Sequence, residues 1–296
     1  MFYLLGSIIL TSYLLLSFKV IQKFNVPVFP AIVFNYFTCV ITGSIVNGAF
    51  PIRASALGTP WFKWSCIMGV LFIILFNLIG VTAQKIGVAV ASVANKLSLI
   101  IPVVLSVYLY NESVVGWELV GIVFALASVM LTCMPSRTAA ASAGRVSLTM
   151  KLGLPFLLFL GSGLLDALIN HVQQKYVTAA TNNSFLISGF FAAGLIGGIV
   201  LCILYLQKKW VFEMRQLIAG ICIGVPNYFS IWCLVNYLQA SPLETSASIP
   251  VNNLGIVLFS TLGAVIFFKE KLTKINVLGV LLSVVAIYLI AFGNTL

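Results

Sequence analysis

The sequence predicts an all-α integral membrane protein with about ten transmembrane helices arranged as two inverted five-helix repeats. Three observations lead to this fold class: an apolar composition, ten stretches long enough to cross a bilayer, and residues that recur in both halves. Of 296 residues, 61% are hydrophobic and 7% are charged. Because so few polar side chains cannot cover a water-soluble globule of this length, lipid is the expected solvent for most of the surface.

Ten apolar stretches have the length of a membrane-spanning helix. The hydrocarbon core of a bilayer is about 30 Å thick, and a helix needs about 20 apolar residues to cross it with every backbone group bonded internally. In chain order the predicted spans are Phe2–Ile21, Val28–Val46, Trp61–Ala83, Ile86–Tyr110, Val114–Met134, Leu152–Val172, Phe185–Leu206, Leu217–Leu238, Thr245–Phe268 and Ile275–Phe292.

The longest clearly polar connection, over residues 135–151, divides the ten spans into five and five. We therefore predict a first five-helix repeat over 1–134, a connecting loop over 135–151 and a second five-helix repeat over 152–296. Polar stretches of this kind usually separate structural units.

Residues of the two halves match at constant spacing, which indicates an internal repeat. Four residues of the first half, Asn95, Val107, Glu112 and Gly121, recur in the second as Asn253, Val265, Glu270 and Gly279. The segments VIQKF and VQQKY, at the ends of spans 1 and 6, match as well. Since each half has an odd number of spans, the second half must enter the membrane in the opposite orientation. That symmetry is common among secondary transporters and suits alternating access.

The basic residues indicate loop positions rather than a nucleic-acid surface. The net charge is +10, but Lys and Arg stand singly or in small groups between apolar runs, so we expect no nucleic-acid partner. Counted loop by loop, the odd-numbered connections hold most of them. By the positive-inside rule this predicts a multi-pass protein of the cell (inner) membrane with both termini outside the cytoplasm.

Lys96 is the sharpest functional feature, because it lies ten residues into the fourth predicted span, about 15 Å deep. A lysine at that depth costs roughly 2.5–3.5 kcal/mol, so it should face a cavity or an acidic partner. Two interpretations stay open: a buried structural ion pair, and a cationic group that binds substrate or serves coupling. A cation in a cavity favours anionic solutes, such as those that carry a carboxylate.

Asp166 lies in the sixth predicted span and shares one helical face with Ser162 and Asn170, since residues four apart stand above one another. Pairing with Lys96, carrying a coupling proton and hydrogen-bonding a substrate amine are all compatible with this face, as is a structural role. His171, the only histidine of the chain, falls off that face near the end of the span, where an interfacial position is expected.

Glu244, Ser248 and Asn252 recur at a spacing of four across the start of the ninth span, where a proline frees a backbone carbonyl that a substrate can use. An acidic residue near a helix start is also stabilised by the helix dipole, so a structural role for Glu244 stays open. Glu112 and Glu270, at the ends of spans 4 and 9, are interpreted as conformational or capping residues.

Further amides are candidates for lining the same site as Lys96. They are Asn35, Asn77, Asn95, Asn227 and Asn253. Ordinary interhelical hydrogen bonding, which averages under about 1 kcal/mol, is the structural alternative for each. Spans 5 and 10 have few polar groups, so we expect them at the outside of the bundle, facing lipid or a homodimer partner. Gly220 and Gly224 form a small-xxx-small pair that permits close helix packing.

A duplicated pattern, an Ala/Ser/Pro-rich span followed by Glu and a Gly-containing helix, occurs in Ala89–Gly121 and again in Ala247–Gly279. It resembles the EamA-like branch of the drug/metabolite transporter superfamily. The resemblance covers nearly the whole chain through span count, duplication and the two Glu positions. It implies a ten-helix fold with a central cavity between the halves and, commonly, export of amino acids or other small metabolites. It also implies cytoplasmic termini, opposite to the placement by loop charge.

These observations favour a secondary transporter, in the direction of export, for small-molecule solutes such as carboxylate-bearing metabolites. No G-x-x-x-x-G-K-[ST] loop occurs, so the energy would come from an ion gradient or the solute gradient. A non-transporting membrane scaffold is the main alternative. An intramembrane enzyme is less favoured, because acids and His are few and scattered. We expect no cofactor and no metal site.

Overall fold

The computed structural model describes residues 2–50, 52, 56, 58–101, 116–133, 148–178, 181–240, 245–270 and 272–293. Within these residues the chain forms ten α-helices and no strand, so the all-α class is confirmed. The helices are α1 (Phe2–Lys23), α2 (Val28–Val46), α3 (Pro60–Lys85), α4 (Val88–Leu97), α5 (Gly116–Cys133), α6 (Leu148–Tyr176), α7 (Asn182–Leu206), α8 (Met214–Ala240), α9 (Thr245–Phe268) and α10 (Lys274–Phe292).

Six of the described helices are long and apolar enough to cross a membrane. These are α1, α2, α3, the Thr149–Ile169 part of α6, α7, and the Met214–Tyr237 part of α8. The apolar segments described in α4, α9 and α10 are shorter, at 10–17 residues each. The chain therefore has the helices of a membrane protein, while the count of ten spans stays a prediction.

The largest difference from the predicted spans is in the fourth. We predicted one helix over Ile86–Tyr110, but α4 ends at Leu97. A turn at Ser98 and Leu99 separates it from Ile100 and Ile101, which are helical again, and Ile101 N donates to Ser98 O at 2.9 Å. The sequence offers a physical reason, because a proline at position 102 has no N–H to donate to the Ser98 carbonyl four residues before it. Residues 102–110 lie outside the described part of the chain. The predicted 135–151 loop is also shorter at its end, since α6 begins at 148.

The chain folds into two compact units. The first unit comprises Met1–Lys19, Ile79–Leu164 and Ser230–Leu296, and the second comprises Val20–Leu78 and Leu165–Phe229. Each unit takes residues from both predicted five-helix repeats. The units describe packing, whereas the repeats describe sequence duplication, so the division into repeats stays a prediction.

In the first unit, α10 packs along α5, α9 packs on α4 and α10, and α4 also contacts α5. A capping box starts α10: Asn276 N donates to Thr273 Oγ1, and Thr273 N donates to Asn276 Oδ1. The same asparagine donates from Nδ2 to Leu131 O at 3.2 Å, which ties the start of α10 to the end of α5. One cluster of buried hydrophobic residues in this unit comprises Val93, Leu97, Ile100, Ala125, Phe159, Val257, Val280, Ala286 and Ile287.

In the second unit, α2 packs on α7, and two glycines of α8 lie against the backbone of α2. A Cβ at Gly220 would come 2.9 Å from Phe34 C, and one at Gly224 would come 2.7 Å from Asn35 O. The predicted close packing at this small-xxx-small pair is therefore confirmed. One cluster of buried hydrophobic residues in this unit comprises Ala56, Trp61, Met68, Leu75, Leu165, Val172 and Phe185.

Candidate functional site

Lys96 stands in the last turn of α4, in the first unit, and is partly buried. We predicted it in the middle of a longer helix, and the structure corrects this, because α4 ends one residue later at Leu97. The last carbonyl groups of a helix have no partner within it, and the helix dipole favours a cation there. Lys96 therefore stands at a helix end whose dipole favours a positive charge.

The face of α4 that carries Lys96 meets α9 through a pair of hydroxyl groups. Ser92 lies four residues before Lys96, hence on the same helical face, and its Oγ accepts a hydrogen bond from Ser260 Oγ at 2.7 Å. Ser92 and Ser260 are both fully buried. A neutral bond of this kind contributes about 1 kcal/mol and holds the Lys96 face of α4 on α9.

The predicted amides of the first unit lie on the same two helices. Asn95 of α4 is partly buried, whereas Asn252 and Asn253 of α9 are only 2% and 8% exposed. Asn252 Oδ1 has no hydrogen-bond partner among the described residues. A buried acceptor without a donor costs about 1–3 kcal/mol, so this oxygen is a position where a donor group of a ligand would be stabilised.

A charged cluster in the first unit joins the end of α1, the α3–α4 connection and the α9–α10 connection. Glu270 Oε1 accepts from Val88 N at 3.0 Å and lies 3.5 Å from Lys19 Nζ. Lys19 Nζ also donates to Gln84 O at 3.4 Å, and Gln84 Nε2 donates to Phe18 O at 2.9 Å. The side chains of Lys19 and Glu270 are 21% and 14% exposed, so neither is completely buried. We call these residues the Glu270 cluster.

The backbone before α4 explains why Glu270 fits there. Gly87 has φ 146°, a backbone conformation that residues with a side chain rarely adopt. A Cβ on Gly87 would also lie 3.1 Å from Glu270 Oε2. Val88 N belongs to the first turn of α4, whose N–H groups lack partners within the helix and whose dipole favours an anion. Glu270 therefore acts as a cap for α4, in line with its interpretation as a capping residue.

The second unit contains a buried amide pair. Asn227 Nδ2 donates to Asn35 Oδ1 at 3.1 Å, and the two residues are 7% and 0% exposed. Cys39 Sγ donates to Gly224 O at 3.3 Å beside them. Asn35 Nδ2 points back to Ile32 O at 3.4 Å in its own helix. The structure thus brings two of the predicted amides together, but their polar atoms bond to protein groups, which is the interhelical role left open for them.

Three further predicted residues, Asn77, Asp166 and Asn170, belong to the second unit. Asn77 Nδ2 donates to Ile73 O at 2.7 Å, one turn back in α3. Asp166 is partly buried on α6. Asn170 belongs to α6, but its side chain lies outside the described part of the structure. Glu244, which precedes α9, lies outside the described residues altogether.

His171, which we expected at an interface, is exposed near the end of α6. Its ring lies 6.3 Å from that of Trp64 and 6.4 Å from that of Tyr176, centroid to centroid. Aromatic clusters of this kind are typical of the headgroup region of a bilayer. Among the described residues, no group of three or more His, Cys, Asp and Glu side chains is placed to hold a metal ion.

Sequence reasoning missed several residues of these sites. Lys19 was interpreted only as a loop anchor, and its partner Glu270 lies far from it in the sequence. Gly87 carried a usable signal, because a glycine directly before an apolar helix start often marks a special backbone conformation. Ser92 could also have been identified, because it lies four residues before Lys96 and therefore on the same helical face.

Comparisons with other proteins give the fold without a function. No protein-family model matches the chain. An uncharacterised protein of Haemophilus influenzae is 24% identical over 282 residues, which cover 91% of this chain and 90% of that protein. A crystal structure of a protein with 16% sequence identity matches with a TM-score of 0.60, over 97% of this chain and 94% of that one. The likeness to that structure extends over nearly the whole fold.

Proposed function

We propose that this chain is a secondary transporter of small, carboxylate-bearing metabolites that works by alternating access. The observation that carries the proposal is the position of Lys96 in the last turn of the short helix α4, directly before a turn. Interrupted helices with a charged group near the break are typical of the substrate sites of secondary transporters. A positive group in such a site favours an anionic solute, and export is the direction that the family resemblance suggests.

The helix pairs support the inverted repeat on which alternating access would rest. Within the units, α2 packs on α7, α4 on α9 and α5 on α10. Each of these pairs joins a helix to the one five places later in the chain. Two halves of five helices related by inverted symmetry would pair their equivalent helices in this way.

The contacts of the Glu270 cluster allow α4 to move as an intact helix. The ten residues of α4 form a rod of about 15 Å, with Lys96 near one end and the Val88 N–H at the other. At the Val88 end, Glu270 accepts a hydrogen bond from Val88 N and forms an ion pair with Lys19. Both charged side chains are partly exposed, and Glu270 lies in a connecting segment. Opening the contact exposes the charges to water, which offsets most of the lost attraction. We infer that this contact opens and closes during the cycle while α4 stays intact.

The test combines ligand stabilisation with flux. We would measure the melting temperature of the detergent-purified protein with amino acids, organic acids, nucleotide sugars and organic cations, because a bound ligand stabilises by about 2.7 kcal/mol at 100 times its Kd. We expect the carboxylate-bearing compounds to raise it. Lys96→Ala should abolish that shift and the uptake of the same compound into liposomes, Lys96→Arg should keep part of both, and Lys85→Ala, at an exposed lysine, should change neither.

Two outcomes would count against the proposal. Equal stabilisation of the Lys96→Ala variant would remove Lys96 from the site. If no compound stabilises the protein and no flux occurs, the scaffold becomes the better interpretation.

Orientation in the inner membrane belongs to the same proposal. The loop charges favour both termini outside the cytoplasm, and we adopt that orientation over the one implied by the family resemblance, since the charges belong to this chain. Alkaline phosphatase fused to the C-terminus should then be active, and green fluorescent protein fused there should be dark. The reverse pattern would overturn the orientation without affecting the assignment as a transporter.

A further inference from the structure

The connection between α7 and α8, residues 207–213, adjoins strongly exposed apolar side chains. Both helices have the length and hydropathy of membrane spans, so a connection between them is expected at the level of the lipid headgroups. Leu206, Val211 and Met214 are 74%, 70% and 61% exposed. Apolar side chains this exposed at the end of a span are suited to contact with acyl chains.

The same stretch carries a concentrated positive charge. Lys208 and Lys209 are exposed. Arg215 follows at the start of α8 and is paired with Glu213. Arg215 Nη1 also lies 3.5 Å from Phe24 O. That contact brings the end of α1, with Lys23, to this side of the second unit. We call residues 206–215 with Lys23 and Phe24 the basic surface.

An aromatic cluster holds the basic surface in one conformation. Trp210 Nε1 donates to Gln216 Oε1 at 3.0 Å, and this glutamine is only 2% exposed. Gln216 Nε2 in turn donates to Val211 O at 3.3 Å. The rings of Tyr205 and Phe212 lie 6.4 and 6.5 Å from that of Trp210. A tryptophan fixed at the end of a span is a common anchor at the membrane–water interface.

Lys208 and Lys209 lie in a hydrogen-bonded turn directly after the end of α7. Lys208 has φ 54°, in the left-handed region. Lys208 N donates to Tyr205 O and Lys209 N donates to Leu204 O, each at 2.9 Å. Both ammonium groups therefore extend from a fixed backbone at the negative end of the helix dipole.

We propose that the basic surface binds the headgroup of an anionic phospholipid. The phosphate lies between Lys208 and Lys209, Trp210 stands at the boundary of headgroup and acyl chains, and the chains run along Leu206 and Met214. A zwitterionic lipid offers the same phosphate and chains, but its quaternary ammonium cancels the negative charge, so it binds more weakly. Because this binding needs no solute, it is independent of the transport proposal.

The experiment measures lipid-dependent stability in detergent. We would titrate the purified protein with dioctanoyl phosphatidylglycerol, dioctanoyl phosphatidylcholine or glycerol 3-phosphate and follow the melting temperature. Phosphatidylglycerol should stabilise at the lowest concentration. The double variant Lys208→Gln/Lys209→Gln should need about 30-fold more of it, since each basic group near an anionic surface contributes about 1 kcal/mol, or about fivefold.

The matched control removes two exposed lysines elsewhere in the second unit, Lys63→Gln/Lys175→Gln, and should leave the midpoint unchanged. If the double variant does not fold, the single variants should each shift the midpoint about fivefold. Equal effects of the two phospholipids, an unchanged midpoint in the lysine variants, or full stabilisation by glycerol 3-phosphate would overturn the proposal. The last result would mean a site for free phosphate esters rather than for lipid.

Discussion

In the second unit, α2 and α8 meet through the neutral amides of Asn35 and Asn227, whereas in the first unit the Glu270 cluster joins connecting segments through charges. The amides are almost completely buried and lie where two glycines bring the helix backbones together. The charged groups are partly exposed and lie at helix ends. Both are polar contacts between distant parts of the sequence, yet they differ in what breaking them requires.

The two contacts differ in the free energy needed to open them. Separating the amides would leave uncharged donors and acceptors in an apolar interior, where water cannot replace their partners. Separating Lys19 from Glu270 exposes both ions to water, which compensates for most of the lost attraction. We therefore expect the hydrogen bond between Asn35 and Asn227 to stay closed and the contact between Lys19 and Glu270 to open and close.

The largest effect on stability is expected from Gly224→Ala. The new Cβ would lie 2.5 Å from Thr38 Cβ and 2.7 Å from Asn35 O, and neither atom is the end of a flexible side chain. Overpacking of this kind costs about 1–3 kcal/mol, and we expect the upper end of that range. The control is Gly153→Ala in α6, where nothing lies within 4 Å. Denaturation in detergent should separate the two variants, and equal stability would mean that α8 does not need close contact with α2.

Gly87→Ala is expected to cause the next largest loss of stability, about 2 kcal/mol. Alanine at φ 146° is strained, and its Cβ would crowd the Glu270 carboxylate. Gly48→Ala isolates the strain, since Gly48 also has a positive φ, 72°, but has open space around it. We expect both variants to lose stability and only Gly87→Ala to lose flux. Loss of flux in both would assign the effect to backbone strain instead of the carboxylate contact.

The amide pair can be tested by a double-mutant cycle of Asn35→Leu and Asn227→Leu. Each single change leaves one buried amide without its partner and should cost about 1–2 kcal/mol. The double variant should cost less than the two singles added together, because no orphaned amide remains. Strict additivity in equilibrium unfolding would show that the 3.1 Å contact contributes nothing of its own.

The smallest effect on stability is expected from Glu270→Gln, under about 1 kcal/mol, as for other partly exposed ion pairs. Its effect on liposome flux should nevertheless be large. The exchange Lys19→Glu/Glu270→Lys restores the ion pair but leaves Val88 N without an acceptor, because an ammonium cannot accept a hydrogen bond. We expect no recovery of flux in the exchange variant. Full recovery would reduce the role of Glu270 to the ion pair alone.

Much of the fold could be predicted from apolar length alone. The predicted spans Val28–Val46 and Thr245–Phe268 coincide with α2 and α9, and most others differ by a few residues at each end. In the fourth predicted span the continuous helix is interrupted at Ser98 and Leu99. Hydropathy does not register this break, because the apolar run continues through it and the loss of a backbone donor at a proline leaves no trace in hydropathy.

The site residues were harder to predict, for a reason visible in the asparagines. Asn35, Asn77 and Asn227 look alike in sequence, yet Asn77 bonds to its own helix and the other two to each other. A side chain in a helix reaches its own preceding turn or a neighbouring helix according to the rotation of that helix. Hydropathy and spacing contain no information on that rotation when, as in α2 and α7, apolar residues occupy every face.

From the sequence alone it follows that this chain is helical and suited to lipid, because an apolar segment in a bilayer must satisfy each backbone group within itself. The sequence also indicates which residues are costly enough there to need a partner, Lys96 first among them. The partners themselves emerge from the packing of the folded chain: Glu270 for the start of α4 and for Lys19, and Asn227 for Asn35. Those contacts depend on how helices far apart in the chain pack together, and packing is set by shape and distance that no local stretch of sequence contains.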